Sequence, residues 1–314
     1  MHRAVDQSSA VVCSLSRAVH PSAGASDGAD RYAATSTHRL TGDGRRLFPG
    51  NPSVGGNRVT VTAIIPARDE EREIVDCLAS VAWTEQRIVF VDDRTTDQTI
   101  RLARQAGAEA MLHPFENFAQ FHNAAMALEQ ITTDWVLFVD ADERVTPELA
   151  DEIQQVLSDK ERGEVLWWVP RHNYIFGRLT LGAGWYPDYQ ARLLRRGYTH
   201  WERPVHEFAV ANGPEGYLQS PLVHYNYRDL PDFIARQQRY TDIDAGILFA
   251  AGTYPRWYTP YTQAVRHFWW RFVTLRGVQD GLHGLRLSLL MAYYEAVKYR
   301  KLARLWQTGN HAAR

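Results

Sequence analysis

Two carboxylates, Asp140 and Asp142, stand one alanine apart after the run Trp135-Val136-Leu137-Phe138-Val139. Five apolar residues, several β-branched or aromatic, make a fully buried parallel strand, and the carboxyl end of such a strand opens on a crevice. Acids two positions apart at that point can converge on one hard divalent cation held together with the phosphate oxygens of a ligand. The competing reading is a solvated loop ahead of a helix. Thr146-Pro147-Glu148 starts that helix with an N-cap, a proline at its first position and an acid in its first turn.

The elements upstream repeat the placement. Val59 to Ile65 reads as a strand ending at Pro66, and Ala67-Arg68-Asp69-Glu70-Glu71 follows it. Ile74, Cys77, Leu78 and Val81 then fall at helical spacing. A second strand, Arg87 to Val91, runs into Asp92-Asp93, with Thr96 or Asp97 as the N-cap of the next helix. Ala108 to Leu112 is a third short strand, and Ala124 to Ile131 is mostly helical. Strands alternating with helices of this length predict an α/β fold, a parallel sheet with right-handed crossovers. Acids at three strand ends mark its carboxyl edge as a ligand site. The chain has no GxGxxG and no GxxxxGK[ST], which excludes a Rossmann dinucleotide fingerprint and a P-loop.

Composition sets the outer bounds. The 314 residues are 45% hydrophobic and 23% charged with a net charge of -1, enough for a large domain with an appendage and no reason to expect nucleic acid as a partner. The two cysteines, Cys13 and Cys77, lack metal or CxxC spacing and fit a reducing compartment. Residues 1–57, rich in Ser, Ala, Gly, Asp and Arg, read as a disordered tail. Ala10 to Leu15 is too short for a signal peptide core, and Asp6-Gln7-Ser8-Ser9 precedes it. Residues 58–250 read as one α/β domain and 251–314 as an amphipathic helical segment.

Ile64-Ile65-Pro66-Ala67-Arg68-Asp69-Glu70, Val91-Asp92-Asp93-Arg94-Thr95-Thr96-Asp97 and Phe138-Val139-Asp140-Ala141-Asp142-Glu143, in this order and spacing, resemble the family 2 glycosyltransferases of GT-A fold. The resemblance covers roughly residues 59 to 230. It implies a mostly parallel central sheet with a C-terminal helical appendage. It also implies that Pro66, Arg68, Asp69 and Glu70, with Asp92 and Asp93, hold the base and ribose of a sugar nucleotide, a UDP-sugar first of all. Asp140 then contacts ribose and, with Asp142, a Mg²⁺ or Mn²⁺ ion on the diphosphate. Hard oxygen donors suit either ion, and the departing diphosphate needs one. Asn123, in the helix before the metal strand, corresponds to an asparagine of the family.

The later chain supplies the acceptor side. Leu166 to Arg171 and Tyr189 to Leu194 read as strands. Between them, Gly182 and Gly184 allow close backbone approach, and Trp185 offers a flat face to a sugar or is simply buried in a tight turn. By the resemblance, the carboxylate at Glu207 is the base that activates the acceptor hydroxyl. The family more often has Glu-Asp where this chain has Glu207-Phe208, which keeps Asp188 as a competitor. His224 completes the metal ligands in this reading and is a satisfied structural histidine in the other. The order Val-His-Glu, Val-His-Tyr, Tyr-Arg-Asp-Leu is similar to bacterial enzymes of the lipopolysaccharide core and related surface glycans.

From Tyr254 to Trp306 nine Arg or Lys face only Asp280 and Glu295, interleaved with aromatic residues. No stretch of about 18 to 20 uncharged residues spans a bilayer. Such a segment suits the inner face of the plasma membrane as a peripheral anchor. The alternative is a helix pair packed on its own domain or across a homodimer. The expectation is a cytoplasmic, inverting, metal-dependent glycosyltransferase acting on a glycan or lipid-linked acceptor in envelope polysaccharide or lipopolysaccharide synthesis. The rivals are a nucleotidyltransferase, which would carry a Gly-rich basic loop after the first strand, and a non-catalytic glycan-binding or scaffold protein.

Overall fold

The computed structural model describes residues 60–203 and 208–312; the expected N-terminal tail and Glu207 lie outside the described residues. The chain begins with β1 (Val61–Ala67), α1 (Ile74–Ser80), β2 (Gln86–Asp92), α2 (Thr99–Gln105), β3 (Glu109–His113) and α3 (Phe118–Met126). It continues through β4 (Trp135–Phe138), β5 (Glu143–Arg144), α4 (Pro147–Ser158), β6 (Leu166–Ile175), β7 (Arg178–Thr180) and β8 (Tyr189–Arg195). Next come β9 (Thr199–Glu202), β10 (Phe208–Ala211), β11 (Glu215–Tyr217), β12 (Leu222–Tyr227) and α5 (Leu230–Ala250). Finally α6 (Thr259–Trp269) leads through a π-helical turn at Trp270–Thr274 and a 3-10 turn at Gly277–Asp280 into α7 (Gly281–Ala312).

The main sheet runs β3-β2-β1-β4-β8-β6-β12-β5, with β7 and β11 attached to β6. β1 to β4 pair in parallel, as the alternating pattern predicts, and β8 enters antiparallel between β4 and β6. β1 shows why these strands are apolar without interruption. Ala63 and Ile65 face Leu78 of α1 and Leu149 and Ile153 of α4, while Ile64 faces Phe121 and Ala125 of α3. Both faces are covered, so both sets of alternate residues must be apolar.

Two helix boundaries differ from expectation. α3 starts at Phe118 rather than near Ala124, because the Asn117 side chain caps it by accepting from the Gln120 N–H at 3.0 Å. α2 starts at Thr99, one turn position later than expected, and Asp97 serves it from outside by accepting the Thr99 N–H at 2.9 Å.

The C-terminal helices share a core with the far side of the sheet. Leu287 and Tyr294 of α7 pack with Phe233 of α5, Ile175 of β6 and Tyr227 of β12. α6 and α7 are joined by a buried polar contact in which Glu295 meets Lys298 Nζ at 2.8 Å and His267 Nδ1 at 3.3 Å. Among the described residues no helix is long and apolar enough to cross a membrane.

Candidate active site

The ends of β1, β2 and β4 lie side by side, which brings the three acidic segments to one edge. Asp69 takes the left-handed conformation (φ 55°), which Asp tolerates better than most residues. This turns its carboxylate toward the loop after β2, where it accepts the Thr96 N–H at 2.8 Å. Two more bonds fasten the same loops, Glu70 N–H to Thr99 Oγ1 at 2.7 Å and Glu71 N–H to Asp97 at 2.9 Å. Asp92 is buried and paired twice with Arg94, at 2.8 and 2.5 Å. Those hydrogen bonds, working against burial, hold its carboxyl below the ordinary range. Arg68 lies 3.9 Å from Asp92, Arg94 rests over the Phe115 ring, and Asp93 is exposed.

The two acids after β4 have different surroundings. Asp140 is gripped by Arg192 of β8, through Nη2 on one oxygen and Nη1 at 3.3 Å on the other. Burial raises its carboxyl, but the charge and bonds of Arg192 outweigh that and keep it well below the usual value. Arg192 Nη2 also bonds Glu143 at 2.6 Å, and Glu143 accepts the Asp140 N–H at 3.1 Å. From Glu143 the network passes to Arg171 at 3.3 Å and on to Asp188 at 2.6 Å. Asp188 is held further by Asn173 at 3.1 Å and Gln190 at 2.8 Å. Burial of Asp188 is overcome by Arg171 and these bonds, so its carboxyl too lies below the ordinary range.

Asp142 escapes this network. Its oxygen lies 3.5 Å from His224 Nε2, and among the described residues no three His, Cys, Asp or Glu side chains form a metal-binding group. The pair alone nevertheless suits a cation. Asn173 donates its amide N–H bonds to Asp188 and to the Trp185 carbonyl at 2.9 Å. Its Oδ1 must therefore accept from His224 Nδ1, at 2.8 Å. That assignment turns Nε2 toward the Asp142 carboxylate, so the two side chains can face one cation. Asp142 and His224 are the two side chains here that would hold such a cation.

Glu70 borders the same place. Burial first, and the charge of Asp142 second, push its carboxyl up to about 7 against the pull of Arg228 and Arg236. Asn123 has both ends of its amide on the main chain of Trp201, each at 2.8 Å, and so fastens α3 to β9. Glu207, the expected base, is among the residues outside the description. Sequence reasoning missed Arg171, Asn173 and Arg192. A charge inside an apolar strand pattern, as in Ala191-Arg192-Leu193-Leu194, was the available signal, since buried charges need partners.

Residues 62–212 match the family model "Glycosyl transferase family 2". The chain is 22% identical over 265 residues to an uncharacterized glycosyltransferase of Rickettsia bellii, covering 81% of this chain and 90% of that one. It is 27% identical over 215 residues to the lipopolysaccharide core biosynthesis glycosyltransferase LpsC of Rhizobium meliloti, covering 64% and 76%. S. aureus TarS aligns with a TM-score of 0.37 and 15% identity over 76% of this chain and 55% of that one. With its acids gathered at the carboxyl ends of β1, β2 and β4, the segment 62–212 is a glycosyltransferase family 2 domain of GT-A fold.

Proposed function

We propose that the domain transfers a sugar, with inversion, from a nucleoside diphosphate donor to a glycan or lipid-linked acceptor of the bacterial envelope. The observation that carries this reading is the Asp142–His224 pair, preset by Asn173 and near Glu70 of the loop that follows β1. Asp142 and His224 would hold Mg²⁺ or Mn²⁺. Bound there, the ion would offset charge on the leaving diphosphate. Asp69, Glu70 and Asp93 face the nucleoside, with Arg68 and Asp92 behind them. Asp140, committed to Arg192, fixes the turn that presents Asp142. Arg228 and Arg236, whose charges reach Glu70, add positive charge where phosphates would lie. A UDP-sugar is the donor of first choice.

Glu207 is the base in this scheme. Asp188 is a poor rival because its carboxylate already accepts from Arg171, Asn173 and Gln190, and a group held below the ordinary range takes up a proton weakly. The test is donor hydrolysis and transfer across a panel of sugar nucleotides with Mn²⁺, for wild type and four variants. Asp142→Ala and His224→Ala should lose metal-dependent nucleotide binding, whereas Glu207→Gln should bind donor normally and turn over roughly 10² to 10⁴ times more slowly. Full activity in chelator, or a silent Glu207→Gln beside a dead Asp188→Asn, overturns the assignment.

A further inference from the structure

The outer face of the α6–α7 hairpin belongs to neither the sheet nor the site. On α6, Tyr261, Val265 and Trp269 recur every four residues, with Val265 71% and Trp269 63% exposed. On α7, Leu282, Arg286, Leu289, Tyr293 and Arg300 fall on one stripe, with Leu282 83% exposed. The Arg300 guanidinium lies over the Tyr261 ring at 5.7 Å. That contact puts both stripes on the same side of the hairpin, opposite Leu287 and Tyr294, which face the core. An apolar surface this continuous asks for something to cover it.

Charge selects what does. The segment's two acids are both turned away: Asp280 accepts the N–H groups of Leu181 and Gly182, and Glu295 is buried against His267 and Lys298. Arg286 and Arg300 are exposed. Arg286 rests over Phe176 as Arg300 does over Tyr261, and neither forms an ion pair among the described residues. A second copy placed on this face by two-fold symmetry would set arginines against arginines with no acid to pair them. A surface that is apolar at its centre and itself anionic has no such conflict. We infer that this face docks on an anionic lipid bilayer, with Trp269, Leu289 and Tyr293 entering the headgroup region and the arginines meeting lipid phosphates.

The experiment is sedimentation of the full-length protein with vesicles of phosphatidylcholine alone or mixed with phosphatidylglycerol. Binding should require phosphatidylglycerol and weaken as salt is raised, a result that needs no variant. Arg286→Gln with Arg300→Gln should weaken it roughly tenfold or more, given the attraction of each cation near the surface. Trp269→Ser with Leu289→Ser should weaken it at low and high salt alike, with the melting temperature unchanged because both side chains are exposed. Equal sedimentation with the two vesicle types refutes the inference. So does a Trp269→Ser/Leu289→Ser protein that binds vesicles as wild type does but changes from dimer to monomer by light scattering.

Discussion

Asp140 and Asp142 are chemically the same and two residues apart, yet the fold assigns them opposite duties. One is bound to Arg192 inside a ring of buried charges; the other is left facing His224. Removing Arg192 strands Asp140 and Glu143 without their cation, so Arg192→Met should cost about 3–5 kcal/mol in a urea unfolding series. Asp142→Asn should stay within about 0.5 kcal/mol of wild type in the same series. Glu70 makes a separate claim. Its folded value of about 7 lies above the ordinary 4.5, so between those limits the folded state holds the proton that the unfolded chain has released. Stability contributed by Glu70 therefore falls as pH rises through that window and is level on either side. In chelator, the melting temperature of wild type should decline relative to Glu70→Gln from about pH 4.5 to about 7. A parallel pH course for the two proteins would count against the raised value. The spacing of Asp140 and Asp142 was readable in the sequence because a two-residue period is local. Their division was not, because it is made by Arg192, 52 positions further on.

β1, β2 and β4 were legible because they are buried on both faces and bounded by acids or turns, whereas β3 is a half-exposed edge strand. The helix starts were less so: Asp97 was legible as a cap, but the Asn117 cap of α3 rests on side-chain bonds to Gln120 that a periodicity argument passes over. Asn123 was singled out only through the family resemblance, and the structure gives its amide a fastening task at Trp201. The segment from Leu181 to Trp185 was open between a ligand contact and a tight turn, and its partners are the C-terminal elements. A Cβ on Gly182 would stand 2.3 Å from the Arg276 carbonyl oxygen, and one on Gly184 2.6 Å from Leu275 Cδ1. Arg271 Nη1 donates to the Ala183 carbonyl at 2.7 Å and its guanidinium lies over Trp185. Backbone cannot retreat as a side-chain tip can, so Gly182→Ala should lower stability by about 1–3 kcal/mol. The check is thermal or urea unfolding, and a neutral result would mean that the loop and the π-helical turn move apart easily.

At the scale of the molecule, the C-terminal helices complete the core as well as presenting a face to solvent. Leu287 is fully buried among Ile175, Tyr227, Phe233 and Tyr294. Leu287→Ala should cost about 2–5 kcal/mol, depending on how far the site collapses, read as one cooperative transition of the whole fold. An early separate transition would instead make α7 an independently stable piece. The sequence presented membrane surface and self-packing as alternatives; Leu287 and Tyr294 pack on the domain, and the lipid-facing stripe proposed above is a different one. The loop between β7 and β8, capped by Asp280, braced by Arg271 and fitted against Arg276, then carries a consequence for recombination. A chimera that exchanges C-terminal helices between relatives must carry residues 181–185 across with them, since half of that joint is written on each side of the cut.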